Sequence, residues 1–278
     1  MNVAHHVGAG TSWAFRACGV LLALAGALAL PGPAGAQNDP WLAKNAPMRI
    51  MALGDSITAG VGAKGADLGT GGYRGELARL LDTAGYRYAM VGNRSDYGAH
   101  IMRRNHEGWP GYVLRSIPSD PAPQLYGAVT RHAIEASDPD VILLMAGTND
   151  LLRLARHAEG YTLPHIVASM DDLLAQIFFL KPGVVVLVAG VVDSPNVPAR
   201  DVARFGEGVP ALVERYARRG FRIAFVAGMS DAVPRDEEHF PDGIHPSGGG
   251  SYEAMARIWA RAIAAETAFP THDTVAGR

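Results

Sequence analysis

The most reactive pairing that the sequence offers is a serine near its start and a histidine near its end. Ser56 lies in the run GDSIT, directly after an apolar segment, and His245 closes the run DGIH. A serine hydroxyl is a weak nucleophile until a base accepts its proton, and an imidazole suits that role near neutral pH. Asp242, just before the histidine, could accept the Nδ1 proton and fix the tautomer. From these residues alone, a metal site formed by Asp242 and His245, with His239, is a comparable interpretation.

Two glycine-containing runs, GDSIT and a second one after a later apolar segment, could also supply hydrogen bonds to a developing oxyanion. A serine just past a strand can point its hydroxyl to the open edge of a sheet, with helix N-terminal amides beside it. Ser56 could equally be the N-cap of that helix, with Asp55 forming the turn. A further apolar run ends in GTND, where the Asn149 side chain could donate to the same oxyanion. An Asn-Asp pair after a strand is also a common cap or turn, so this run is ambiguous by itself.

Alternating apolar and amphipathic segments predict the elements that must position these residues. Continuous Val/Ile/Leu runs suit parallel strands covered on both faces, and strands separated by helices imply βαβ units. We therefore predict an α/β fold, a three-layer α/β/α sandwich around a five-stranded parallel flavodoxin-like sheet. Ligands bind beyond the carboxyl ends of such strands. The predicted strands are 48–53, 86–91, 141–146, 184–189 and 222–227, and the predicted helices are 73–84, 122–136, 164–180, 201–219 and 247–265.

Composition excludes several classes of protein. The chain has 278 residues, of which 48% are hydrophobic and 19% charged, so it is neither a disordered chain nor a small disulfide scaffold. Its net charge of −2 and the lack of a long basic run argue against nucleic-acid binding. Cys18 is the single cysteine, which excludes a disulfide framework within one chain.

The beginning of the chain has the pattern of an export signal. Arg16 is followed by an apolar run and then by small residues ending at Ala36, typical of a secretory signal peptide over residues 1–36. An uncleaved membrane anchor is the alternative. We expect a secreted or periplasmic protein with no stable membrane association after cleavage. The remaining predicted organisation is an N-terminal tail at 37–46, one domain at 47–266 and a C-terminal tail at 267–278.

The ordered runs resemble the blocks of the SGNH, or GDSL-type, hydrolases. GDSIT corresponds to the first block, GTND to the third and DGIH to the fifth. The segment NHEGWPGY stands where that family has its second-block glycine, which we align with Gly111, with Gly108 as the alternative. The segments GGYR, YAMVGN and HEGxxG are similar to those of carbohydrate esterase family three, a group that contains acetylxylan esterases. The chain departs from that pattern in its Trp109-Pro110 pair and in the long stretch between Ser95 and Asn105.

This resemblance implies a serine hydrolase that needs no metal or organic cofactor. The implied catalytic residues are Ser56, Asp242 and His245. The implied oxyanion hole consists of the backbone amides of Ser56 and Gly111 and the side-chain amide of Asn149.

Four further residues receive weaker expectations. Trp109 could contact the substrate or pack in the core, and His106 could border the pocket or pin a long loop. We expect Asp55 to hold its turn, and Arg74 to tie the loop after the first strand to another loop or to be a solvated surface residue.

The resemblance also implies a substrate, an acylated small molecule or polysaccharide that loses acetyl or other short acyl groups. A lipid-directed esterase or lysophospholipase, an O-acyltransferase, and a non-catalytic carbohydrate-binding protein are the alternatives. The sequence leaves the oligomeric state open.

Overall fold

The computed structural model describes residues 46–248 and 250–266. The predicted export segment and both predicted tails, apart from Ala46, lie outside the described residues. The expectations for those segments therefore stay predictions.

A parallel sheet forms the centre of the domain. Its strand order is β2-β1-β4-β5-β6, and the short strand β3 pairs with the carboxyl end of β1. All of these pairings are parallel, as the predicted flavodoxin-like sheet requires. The described sheet has six strands rather than five, because two-residue β3 is too short to show an apolar period. The strands are β1 (Met48–Gly54), β2 (Tyr88–Val91), β3 (Glu107–Gly108), β4 (Val141–Met145), β5 (Val185–Ala189) and β6 (Ile223–Val226).

Helices cover both faces of this sheet. Alternate residues of β1 point to opposite faces, so Met51 and Leu53 join one apolar core and Ile50 and Ala52 the other. Helices α3, α4, α5 and α6 pack on the first face, and α2 and α7 on the second, which confirms the predicted three layers. The helices are α1 (Ser56–Ala59), α2 (Tyr73–Thr83), α3 (Ala128–Ser137), α4 (Thr148–Ala155), α5 (Leu163–Leu180), α6 (Ala199–Arg218) and α7 (Gly250–Glu266).

Two helices differ from their predictions. The helix expected at 122–136 begins at Ala128, because Gly127 has the left-handed φ of +92° that a helix excludes. The residues before it pair with another loop instead, with the Leu125 amide donating to the Val113 carbonyl at 2.9 Å. Helix α4, which begins at Thr148, is not among the predicted helices, because the GTND run could be a helix cap or a turn.

Helix α5 is long and apolar enough, by length and composition, to cross a membrane. Seven of its side chains, among them Met170 and Leu173, are buried in the domain core. Helix α5 therefore packs in this domain as a core helix.

Candidate active site

The turn between β1 and α1 presents Ser56 at the carboxyl edge of the sheet. Asp55 is the N-cap of α1, and its Oδ1 accepts the Ile57 amide at 3.0 Å. The interpretation of Ser56 as the cap is therefore wrong, and the expectation that Asp55 holds the turn is confirmed. Ser56 is the first helical residue, so its own amide has no acceptor within the helix.

Gly54 allows this turn to lie against the next strand. A Cβ at this position would be 2.1 Å from the Met145 carbonyl oxygen and 2.4 Å from Thr58 Oγ1. Only glycine fits between β1, β4 and α1 at this point. Steric crowding therefore explains why a glycine precedes Asp55 and Ser56.

The hydroxyl of Ser56 meets the imidazole of His245. Ser56 Oγ and His245 Nε2 are 2.9 Å apart, although the residues are 189 positions apart in the chain. On the other side of the ring, His245 Nδ1 is 2.8 Å from Asp242 Oδ2. Because a carboxylate accepts the Nδ1 proton, Nε2 is left to accept the serine proton. The structure thus brings the three predicted residues into the hydrogen-bonded Ser-His-Asp arrangement that nucleophilic catalysis requires.

Four hydrogen bonds hold the Asp242 carboxylate. Oδ1 accepts the amides of Ile244 and His245 at 2.9 and 2.8 Å, and Oδ2 accepts the Lys64 amide at 2.6 Å besides His245 Nδ1. Burial alone raises the pKa of Asp242, but the hydrogen bonds from His245, Lys64 and Ile244 outweigh it, so the pKa lies well below its ordinary value. Asp242 therefore stays ionised at neutral pH and can stabilise an imidazolium.

The alternative metal site is not assembled. His239 Nδ1 pairs with Asp236 Oδ1 at 2.7 Å rather than joining His245. Within residues 46–248 and 250–266, no group of three or more His, Cys, Asp or Glu side chains is arranged to hold a metal ion.

The predicted oxyanion donors lie in the first turns of helices α1 and α4 and in the loop after β3. Asn149 Nδ2 donates to the Tyr112 carbonyl at 2.9 Å, which orients its amide nitrogen toward the loop that carries Gly111. Of the two candidate glycines, Gly108 donates its amide to His106 Nδ1 at 3.0 Å and is already engaged. The Gly111 amide has no acceptor in the part of the chain that the structure describes, and this favours Gly111 as the donor.

A model of the GDSL-like lipase/acylhydrolase family matches residues 52–252, a range that includes all four blocks. The chain belongs to this family. The resemblance to SGNH hydrolases is thereby confirmed, and the described domain of this GDSL hydrolase is, by class, a serine esterase.

Individual relatives agree with that assignment. A multidomain esterase of Ruminococcus flavefaciens is 27% identical over 238 residues, covering 78% of this chain and 28% of that protein. The chain thus spans little more than a quarter of that relative. A family 3 carbohydrate esterase of Clostridium thermocellum has a TM-score of 0.61 at 29% identity, covering 78% of this chain and 99% of the other. A family 3 carbohydrate esterase of Talaromyces cellulolyticus has a TM-score of 0.60 at 19% identity, covering 78% and 97%, and supports the fold alone.

Asp150 of the GDSL hydrolase binds the loop that carries Gly111. Both of its carboxylate oxygens accept the Leu114 amide, at 3.2 and 3.0 Å. Burial raises the pKa of Asp150 to about 7. Burial also raises the pKa of Asp55, although hydrogen bonds from Ile57 and Thr148 oppose the shift. Two buried carboxyl groups are thus chain neighbours of candidate catalytic residues, Asp55 of Ser56 and Asp150 of Asn149.

The structure does not place His106 in the pocket. Its side chain is 0% exposed, Nδ1 accepts the Gly108 amide, and Nε2 donates to the Asp96 carbonyl at 3.2 Å. Burial lowers the pKa of His106 to about 3, so the ring is neutral. The prediction that His106 binds substrate is wrong, because a fully buried ring with both nitrogens engaged cannot reach a ligand. Its role is the alternative one of pinning the loop.

Trp109 is partly buried and packs against the core on one side. Its Nε1 donates to Glu107 Oε2 at 2.9 Å, the Arg94 guanidinium lies 4.5 Å from its ring centroid, and the Tyr112 ring is 5.1 Å away. These contacts fix the ring beside the Gly111 turn, and a contact with substrate remains a proposal.

Arg74 is fully buried and binds backbone carbonyls. It donates to Thr58 and Ala59 at the end of α1, at 3.1 and 2.8 Å, and to Arg104 at 2.6 Å. The expectation that it ties two loops is confirmed, and the solvated alternative is wrong. Burial lowers its pKa to about 10, which leaves the guanidinium charged at neutral pH.

Three contacts in the site escaped sequence reasoning. Asp150 was visible in GTND, but nothing in the run indicated its bond to Leu114. Lys64 contributes a backbone amide, for which a side-chain motif gives no signal. Asn196 donates its side-chain amide to the Asp242 carbonyl at 3.1 Å from a distant loop.

Proposed function

We propose that this chain is an exported serine carboxylester hydrolase that removes acetyl or other short acyl groups from carbohydrate. The observation that carries the proposal is the 2.9 Å contact between Ser56 Oγ and His245 Nε2, with Asp242 behind the ring. Membership of the acylhydrolase family supports the reaction class.

Acylation begins when Ser56 Oγ attacks the ester carbonyl carbon and His245 Nε2 takes the hydroxyl proton. The new Oγ–carbon bond gives a tetrahedral oxyanion, and ionised Asp242 stabilises the imidazolium. As the carbon–oxygen bond to the alcohol breaks, the imidazolium returns its proton to the leaving oxygen. An acyl-serine and a free alcohol result.

Deacylation repeats these steps with water. His245 takes a proton from the water as its oxygen attacks the acyl carbon, and then returns the proton to Ser56 Oγ as that oxygen leaves. The carboxylic acid departs and the enzyme is restored.

The oxyanion would be bound by the amides of Ser56 and Gly111 and by Asn149 Nδ2. Because Asn149 is already held by the Tyr112 carbonyl, it needs no reorganisation as charge develops. Loss of one such donor typically costs about 10²–10³ in rate.

The substrate proposal draws on a relative and on the loops. The similar protein of Clostridium thermocellum is a family 3 carbohydrate esterase. Loops 92–120 and 190–200 are rich in Gly, Pro and polar residues, whereas an acyl-chain groove would be lined with large apolar ones. Trp109, fixed beside the Gly111 turn, would form an apolar wall or a stacking face for a sugar ring.

The test is acetate release from acetylated xylan, set beside simple sugar acetates, phospholipids, and the acetate and decanoate nitrophenyl esters. We expect sugar acetates to be hydrolysed and the decanoate ester to be poor. Preferential decanoate or phospholipid hydrolysis would replace the carbohydrate assignment with a lipid-directed one. Transfer of acetyl to a sugar acceptor would indicate an acyltransferase.

The matched variants are Ser56→Ala and Ser169→Ala. Ser56 is 5% exposed and Ser169, in core helix α5, is 1% exposed, so both remove a hydroxyl from a buried site. We expect a folded but nearly inactive Ser56→Ala protein and a fully active Ser169→Ala protein. Esterase activity retained by Ser56→Ala would overturn the function.

Export rests on the pattern of residues 1–36. Its test is the intact mass of protein recovered from the periplasm or medium, which should lack those residues. Recovery of the uncleaved chain in the membrane fraction would support the anchor instead.

A further inference from the structure

We propose that Asn196 and Arg235 are positioning residues that hold Asp242 against His245. The inference rests on the proposed function and adds two residues to it. The side-chain hydrogen bonds of both residues go to other partners than Ser56 and His245. Both act through the turn that carries the Asp242 carboxylate.

Asn196 binds both carbonyl groups of that turn. Its side-chain Nδ2 donates to the Asp242 carbonyl at 3.1 Å, and its backbone amide donates to the Gly243 carbonyl at 2.9 Å. The approach is close, since a Cβ on Gly243 would lie 2.5 Å from Asn196 Oδ1. The φ of +76° at Gly243 adds a second reason for glycine at this position.

Arg235 fixes the backbone on either side of Asn196. Its Nη2 donates to the Pro195 carbonyl at 3.2 Å and to the Val197 carbonyl at 2.8 Å. Its Nη1 pairs with the Asp193 carboxylate. A planar guanidinium can make these bonds at once, which a flexible ammonium cannot reproduce in the same geometry. The two residues therefore form one connected brace, from Arg235 through Asn196 to Asp242.

The brace links the carboxylate to the sheet. The Asp242 turn belongs to the connection between β6 and α7. Its bonds to Ile244 and His245 lie within the turn, and the Lys64 amide is a further donor from the loop after α1. Asn196 belongs to the connection that leaves β5, a strand of the sheet. The brace therefore fixes the turn that carries the Asp242 carboxylate to a connection that leaves the sheet, in addition to the bond from the Lys64 amide. Displacements of about 1 Å in such a relay can cost about 10²-fold in rate.

The decisive variant is Asn196→Asp, which keeps the size of the side chain and replaces the donating nitrogen with an oxygen. We expect labelling of the folded protein by a fluorophosphonate probe to slow by about tenfold. For nitrophenyl acetate, kcat should fall by a similar factor with KM unchanged. Arg235→Ala should slow labelling at least as much. Arg235→Lys should recover only part of the loss, since it keeps the charge without the fork.

Two matched controls separate positioning from surface chemistry. Gln176, on helix α5, donates its side-chain amide to the Gly127 carbonyl at 2.7 Å, so Gln176→Glu makes the same change from amide to carboxylate away from the triad. Arg215 pairs with Asp171 between helices α5 and α6, so Arg215→Ala removes an arginine ion pair elsewhere. Both controls should label within about twofold of the wild-type rate.

The background variant Asp242→Ala tests the path directly. A residue that acts through Asp242 has nothing to position once the carboxylate is gone, so Asn196→Asp should cause no further loss there. If Asn196→Asp lowers Tm but leaves the labelling rate of the folded protein unchanged, the contact only stabilises a loop and the inference is wrong. An equal loss in the Asp242→Ala background also overturns it.

Failure of the brace differs from failure of the function. If Ser56→Ala abolishes labelling while Asn196→Asp has no effect, only the brace is wrong. If Ser56→Ala is still labelled, the proposed function fails first. Should Arg235→Ala not fold, Asn196→Asp decides the question alone, because it changes one exposed side-chain atom.

Discussion

The two halves of the active site are held in different ways. The serine half continues β1 into the core, with Asp55 and Ser56 only 1% and 5% exposed. The carboxylate–histidine half is a turn outside regular secondary structure, and its Asp242 and His245 side chains are 15% and 17% exposed. The fold itself places the nucleophile, whereas hydrogen bonds between loops place the base. Changes that disturb the backbone turn before Ser56 should therefore damage the fold, whereas changes in the second half should lower the rate with less effect on stability.

The largest effect should come from Gly54→Ala. A methyl group there would overlap backbone and side-chain atoms of β4 and α1, so at least about 3 kcal/mol of stability should be lost. Soluble yield and urea denaturation measure the effect. Gly183→Ala is the matched control, since a Cβ there meets nothing within 4 Å. A Gly54→Ala protein as stable as this control would contradict the steric account of the turn.

Asp242→Asn should lower the stability less than Gly54→Ala but should lower kcat severely. The substitution keeps the shape of the side chain and removes the charge that stabilises the imidazolium, so kcat should fall by about 10⁴-fold. The Tm should change by no more than a few degrees, because the turn lies outside the core. Kinetics with nitrophenyl acetate and a thermal scan give both values. Loss of the folded state would show that this half, too, is part of the core.

The smallest expected effect is a change in how the free energy of unfolding depends on pH. The pKa of Asp150 is raised to about 7, against an unfolded value near 3.9, so the native state holds a proton that the unfolded state has lost. Wild-type stability should therefore fall relative to Asp150→Asn as pH rises from about 4 to about 7, and then level off. Asp242, whose pKa is depressed, contributes stability that is lost only as pH falls below about 4.

Urea denaturation of both proteins at several pH values measures this difference. Groups that do not interact with Asp150 cancel in the comparison. Asp55 does not cancel fully, because its charge contributes to the raised pKa of Asp150. A stability difference that stays constant from pH 4.5 to 8, or grows in the opposite direction, would contradict the assignment of a protonated Asp150.

The strands of the sheet could be predicted from the sequence because they are buried on both faces and therefore appear as continuous apolar runs. The predicted strands at 141–146 and 184–189 correspond within one residue to Val141–Met145 and Val185–Ala189. The meeting of Ser56 with His245 followed from the parallel topology, since the carboxyl ends of such strands share one edge.

The errors lie where tertiary contacts decide. His106 lies in a polar run that indicates an exposed loop, and only the bonds to Gly108 and Asp96 show that it is buried. The bonds that Asn196 and Arg235 make to backbone carbonyls leave no periodicity or motif in the sequence. The residues proposed to perform the chemistry could thus be predicted from the sequence, and the residues proposed to position them could not.

The central claim is that Ser56 and His245 act together, and covalent labelling tests it most directly. Wild-type protein treated with a fluorophosphonate probe should gain one adduct, located on Ser56 by peptide mass. In His245→Ala the labelling rate should fall by more than about 10³-fold while the protein stays folded. An adduct on another residue, or wild-type labelling of Ser56 without His245, would contradict the account.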